Sequence, residues 1–166
     1  MDLTSFYPRR YPTSYKDKQF KFVTDYGAEY SLFFEPGMFF GGLPYAHKTY
    51  DINLVREKKP TIKPRPTTDI RIESTFVFFA NRLFDDPETV LIYYCSHLQG
   101  KHLARKELFE EWVSRWNSHR GNDIEHISND FIDKSGTSHH SSCLVLKSNS
   151  YVNDIKIRFP EHASDK

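Results

Sequence analysis

Cysteine is scarce in this chain. Cys95 and Cys143 are the only two in 166 residues, so at most one bridge can form and a disulfide framework is excluded. Charge of one sign is lacking too: 23 Lys and Arg stand against 22 Asp and Glu, a net charge of +1. No global positive field exists to gather nucleic acid or an anionic membrane, so any such binding has to be local. No stretch approaches the roughly 20 uninterrupted apolar residues that cross a bilayer. The opening segment, Met1 to Arg10, has no apolar secretion core either. These absences predict a reduced, cytoplasmic, globular domain without membrane attachment. What the chain does have is aromatic area, 14 Phe and 10 Tyr, enough large rings to build a core and to exclude a disordered chain.

The pattern along the chain predicts an arm, one domain and a short tail: residues 1–18, 19–160 and 161–166. The arm mixes Pro8, Pro12, two arginines and three tyrosines without periodicity. Gln19–Thr24 and Glu29–Glu35 alternate on either side of Asp25-Tyr26-Gly27, a hairpin signal. Tyr50, Ile52 and Leu54 extend the alternation to a third strand. Three prolines within Lys58–Pro66 forbid helix and predict an extended, exposed connector. Beyond it the period changes to that of a helix, with Ile72, Phe76, Phe79, Ala80 and Leu83 on one face and Asp69 as its cap. Val90–Cys95 is a continuous apolar run, read as a strand covered on both faces. Ala104, Leu108, Trp112 and Trp116 give a second helix that ends at Gly121. Strands are expected again at about Ile124–Asp133, Ser142–Lys147 and Asn153–Phe159. The fold class is therefore α+β: a mixed, mainly antiparallel sheet with two helices packed on one face.

Chemistry-bearing residues gather in few places. Between Cys95 and the second helix, Gly100, Lys101 and Arg105 could hold an anion against free helix-start amides, which suits a phosphorylated small ligand. Cys95 itself is a weak candidate nucleophile. Five residues separate it from Lys101, a spacing that looks like the cysteine-phosphatase loop, but Lys cannot form the guanidinium fork and no His precedes the cysteine. Cys95 with His97 and His102, or His126 with His139, His140 and Cys143, supply ligand atoms without the paired spacing of a zinc site, so no metal is expected. No cofactor signature is present. Arg56, Lys58, Lys59, Lys63 and Arg65 form a basic stretch that could touch phosphates of RNA, although balanced charge and the lack of a recognition motif argue against nucleic acid. Trp112 and Trp116, one turn apart, read first as core and second as an interface. The sheet face away from the helices, with Phe33 and Val55, also needs a cover, which a partner or second copy could supply.

Three segments carry a family resemblance: Thr68-Asp69-Ile70-Arg71-Ile72-Glu73-Ser74-Thr75; Leu91-Ile92-Tyr93-Tyr94-Cys95; and Gly100-Lys101 followed by Ala104 to Trp112. A hydrophobic strand ending Tyr-x-Cys, a Gly-basic loop and an Arg-x-x-Leu-Phe-x-x-Trp helix resemble a small bacterial domain family of unknown function. The resemblance runs from the Phe20–Phe34 hairpin to about Trp116. It implies a bacterial setting such as stress response, toxin–antitoxin pairing or phage defence. Acidic residues common in the loop of that family are replaced here by Ser96 and Gln99, which removes the basis for carboxylate chemistry. The expected function is that of a non-enzymatic module acting through a protein partner or self-association. A phosphate-ligand enzyme or sensor at Gly100, Lys101 and Arg105 is the alternative, and an RNA-contacting accessory the third.

Overall fold

Alternation and turn chemistry build the first strands in the computed structural model, which describes residues 9–63, 69–95, 100–132 and 134–164. Strand β1 (Ser14–Lys16) folds back on β2 (Gln19–Val23). The turn uses Asp17 and Lys18, both left-handed at φ 53° and 61°, the geometry of a type I′ hairpin. Strand β3 (Glu29–Pro36) pairs antiparallel with β2, placing Phe20 opposite Leu32 and Phe22 opposite Tyr30. Strand β4 (Thr49–Lys58) follows, then helix α1 (Ile70–Leu83). The carboxylate of Asp69 accepts the Arg71 N–H at 3.0 Å and so caps α1, as its sequence predicts. Strand β5 (Val90–Cys95), helix α2 (His102–His119), strands β6 (Ile124–Ile132) and β7 (Ser138–Leu146), and helix α3 (Val152–Ser164) complete the chain. Three helices and a seven-stranded, mixed but mostly antiparallel sheet make it α+β.

Two compact units result, Met1–Glu35 with Ile52–Asp85, and Pro36–Asp51 with Asp86–Lys166. In the first, the strand order is β1-β2-β3-β4, and α1 buries Phe76, Val77 and Ala80 completely. The Phe20 and Phe79 rings stack at 3.9 Å. Tyr11, inside the expected arm, is buried against this unit. Its N–H donates to Thr75 Oγ1 at 2.9 Å, its hydroxyl to Asp69 Oδ2 at 2.7 Å, and the Arg71 guanidinium lies 4.0 Å over its ring.

In the second unit the order is β5-β7-β6, every pair antiparallel. The apolar run of β5 points both ways. Val90 and Ile92 join Cys143 and Val145 of β7 and Ile155 and Phe159 of α3 in one core, closed by Phe39, Phe40 and Tyr45. The other face of the same strands meets α2, where Trp112 is 2% exposed and Trp116 fully buried. The unit is thus a helix–sheet–helix sandwich.

One element departs from its sequence pattern. The alternation of Ile155, Ile157 and Phe159 predicts a strand, but these residues lie in α3. Val152, Ile155 and Phe159 also fit a helical stripe, and Ile157, which a half-buried strand would have turned inward, is 64% exposed. The start is built for a helix: Asn149 Oδ1 accepts the Tyr151 N–H at 2.8 Å, and Asp154 in the first turn pairs with Arg158 one turn on. No helix among the described residues is long and apolar enough to cross a membrane.

Candidate functional site

The corner where β5 gives way to α2 is set by backbone needs. Gly100 has φ +64°, and a Cβ there would meet nothing within 4 Å, so the left-handed dihedral alone calls for glycine. Lys101 is the residue before α2 and is exposed; no side chain caps this helix and its first turn holds no acidic residue. The Lys101 carbonyl accepts the Arg105 N–H at 3.0 Å. Arg105 is half-buried and its charge acts on the Cys95 thiol. Lys106, next along, pairs with Asp130 Oδ2 of β6 at 2.7 Å. That bond holds Lys106 charged and keeps Asp130 below the usual carboxylate range. Leu103 stands 60% exposed on the same turn.

Strand register then brings distant polar residues onto the sheet face under α2. Cys95 of β5 lies opposite His140 of β7, which lies opposite Asp130 of β6; one row along, Tyr93 meets Ser142, and Ser142 meets Ser128. A continuous hydrogen-bonded chain results. Asp130 Oδ1 is 2.6 Å from His140 Nδ1, His140 Nε2 is 3.0 Å from Ser142 Oγ, and Ser142 Oγ is 3.3 Å from Ser128 Oγ. Ser128 Oγ and the Tyr93 hydroxyl both reach His126 Nε2, at 3.3 and 3.2 Å. Glu110 of α2 lies 3.9 Å from His140 Nε2. Burial pushes the Tyr93 hydroxyl well above its ordinary value. Burial, with the nearby His140, holds His126 down to about 4, a neutral imidazole at neutral pH.

Asp130, His140 and Ser142 share the connectivity of a hydrolytic triad, but Ser142 is fully buried, and a nucleophile has to meet its substrate. The network instead ties α2 to all three strands. Cys95 shares this environment: free, 4% exposed, its thiol pushed up to about 11, first by burial and then by Glu110. A thiolate nucleophile needs the opposite shift. Among the described residues no three His, Cys, Asp or Glu side chains gather to hold a metal ion. His97 lies outside them, and the His139 ring stacks on Phe131 at 5.0 Å.

The basic stretch belongs to the first unit. Arg56 and Lys58 are exposed on β4, Lys59 and Lys63 are exposed after it, and Arg65 lies outside the described residues. Lys58 pairs with Glu29 at 3.1 Å, and Arg56 acts on the Tyr30 hydroxyl. A groove of about 330 Å³ nearby is lined by Ser14, Lys21, Glu29, Tyr30 and Glu57, a mixture of charges with none of the sequence candidates in it. Phe33 is half-buried and Val55 40% exposed.

The sequence singles out His126 and His140 as metal-type atoms and misses their hydrogen-bonded chain with Tyr93, Ser128, Asp130 and Ser142. The available signal is a period of two: His126, Ser128 and Asp130 alternate along β6, and His140 and Ser142 along β7, so all five face one way.

Residues 68–161, more than half of the chain, match the model of a family described as Family of unknown function (DUF6169), and the chain belongs to that family. No curated protein and no solved structure matches it.

Proposed function

We propose that this DUF6169 chain is a protein-interaction module whose contact surface is the end of the second unit where β5 stops and α2 begins. The observation that carries the reading is an apolar pair set in polar surroundings. Leu103 is 60% exposed one turn before Lys106, and Ile132 is 72% exposed two residues beyond Asp130 on the same strand face. The bond between Lys106 and Asp130 therefore places both at this end of the unit. Exposed Lys101 precedes Leu103 by two residues. Apolar anchors ringed by charge are the usual composition of a transient interface. The polar network behind the surface fixes α2 on the sheet, so the surface is pre-organised. Free, buried Cys95 and Cys143 support a reducing compartment such as the bacterial cytoplasm.

A photo-crosslinking amino acid at Leu103 tests this in native cells. It should trap a defined partner, and Lys101→Glu should abolish the product, while the same probe at Ile157 on α3 should not trap it. Equal products from both positions would refute the assignment.

One observation favours a second reading, a phosphorylated small ligand at Gly100, Lys101 and Arg105: α2 starts without a side-chain cap and with cations on its first turn. A rise in melting temperature with nucleotides or inorganic phosphate, lost in the double variant Lys101→Ala, Arg105→Ala, would replace the first reading by this one.

A further inference from the structure

The end strand of the second unit leaves its outer main-chain groups open in a way that fits one partner. Strand β6 runs nine residues, Ile-Glu-His-Ile-Ser-Asn-Asp-Phe-Ile, with β7 on one side and no strand on the other among the described residues. Its register with β7 is continuous from Ile124 opposite Leu146 to Ile132 opposite Ser138, so no bulge twists the edge away. It has no proline, glycine or lysine, and its two carboxylates, Glu125 and Asp130, are engaged by Lys156 and Lys106 of its own chain. Natural edges carry such devices because an open ladder is a template for another chain.

Two sets of bonds show which residues face outward. The ladder continues with the Lys147 N–H donating to the Asp123 carbonyl at 2.8 Å, so odd-numbered residues of this strand turn their main-chain groups toward β7. Even-numbered residues must turn theirs away. Ile124 confirms the phase: its N–H donates to Asn117 Oδ1 at 2.8 Å and its carbonyl accepts from Asn117 Nδ2 at 2.9 Å. Asn117 plugs the edge at its start. The main-chain groups of His126, Ser128, Asp130 and Ile132 remain directed outward.

We propose that this edge pairs with the same edge of a second copy, antiparallel, about a dyad at Ser128. The proposal rests on the interaction reading above, names a second copy as the partner, and carries the surface from Ile132 along the open edge of β6. The residues are self-complementary about that dyad. His126 falls opposite Asp130 of the second copy, and the symmetry repeats the match. Ile124, itself only 1% exposed and bonded to Asn117, falls opposite Ile132, the most exposed isoleucine of the strand. Ser128 meets itself, small and uncharged. The outward groups of residues 126, 128 and 130 exchange about six backbone bonds across the dyad. Shifted registers lose these matches: a dyad at Asp130 sets two aspartates face to face, and one at Asn129 sets His126 against Ile132. The β5-β7-β6 strands of one copy then continue into those of the other.

Sedimentation equilibrium of the whole chain over a concentration series, with three variants, tests this. The wild type should approach twice the 19.6 kDa chain mass. Ser128→Pro removes one outward N–H and leaves the β7 ladder intact, so dimerisation should weaken about tenfold or more. Ser128→Lys should abolish it by placing two ammonium groups at the dyad. Ser128→Cys should form a covalent dimer on mild oxidation, because facing residues of a hydrogen-bonded pair stand about 5.5 Å apart between Cα atoms, within disulfide reach. The native cysteines are buried and do not compete. Circular dichroism confirms that each variant is folded. A wild type that stays monomeric at millimolar concentration overturns the proposal, and so does a dimer that survives Ser128→Lys without Ser128→Cys crosslinking. If the Leu103 probe still traps a partner in either case, the interaction reading stands alone; if it traps nothing, both fall.

Discussion

The His126→Gln substitution isolates one half-buried histidine and should flatten the acid side of the stability profile. His126 sits under α2 with its Nε2 shared by Tyr93 and Ser128, the rings of Tyr93 and His126 6.2 Å apart, and His140 beside it on β7. Burial first, and the neighbouring His140 second, depress its proton affinity from 6.5 to about 4. The unfolded chain therefore binds the proton more readily than the folded one between those values. Stability is whole above 6.5 and falls as the pH drops toward 4. With those two constants the loss from this site between about pH 7 and about pH 5 is about 2 kcal/mol. Asp130, Asp86 and Asp154 are all held low by their partners, and their stabilisation is lost only below the ordinary carboxylate value, outside this window. Urea unfolding followed by tryptophan emission suits the measurement, since Trp112 and Trp116 are both buried. The wild type should lose about 2 kcal/mol more than His126→Gln across that interval. Parallel profiles for the two proteins would refute the assignment of a neutral, desolvated imidazole at this position.

Other substitutions read separate parts of the structure. Trp116→Ala removes a fully buried indole and should cost about 3–5 kcal/mol in the same urea assay. Asn117→Ala strips the Ile124 N–H and carbonyl of their partners and should cost about 1–3 kcal/mol, with faster hydrogen exchange at Ile124. A thiol reagent should modify Cys95 and Cys143 only at the rate of unfolding, because both are buried with their thiols held protonated. Ile155→Ala should cost about 2–5 kcal/mol, whereas Ile157→Lys should leave the melting temperature nearly unchanged.

Local signals were sufficient for the elements whose neighbours in sequence decide them. Asp69 caps α1, β5 begins at Val90, and Gly121 follows α2 with φ +78°, each a short-range consequence of residue type. The failure at α3 has an equally definite cause. Residues 155 and 159 satisfy both a period of two and a period near four, and only the side of Ile157 separates the alternatives. That side is fixed by what the helix packs on, Val90, Ile92, Cys143 and Val145, residues remote in sequence. The apolar run of β5 nonetheless contained the missing constraint. A strand apolar on both faces has to be covered twice, and the chain covers Val90 and Ile92 itself with α3 and the Phe39–Phe40 loop.

The polar chain under α2 was illegible for a different reason. None of its links is local: Asp130 reaches His140 only because β6 and β7 pair with indices summing to 270, and Tyr93 reaches His126 across β7. A shift of one residue in that register would turn His126, Ser128 and Asp130 to the α3 side and bury three polar groups in an apolar core. The network therefore also selects the register. It does so for β6, the strand with a neighbour on one side only, whose pairing a second ladder does not fix. The same alternation that sends these side chains toward α2 aims their main-chain groups outward, so the residues that lock the edge strand in place are also those it presents for pairing.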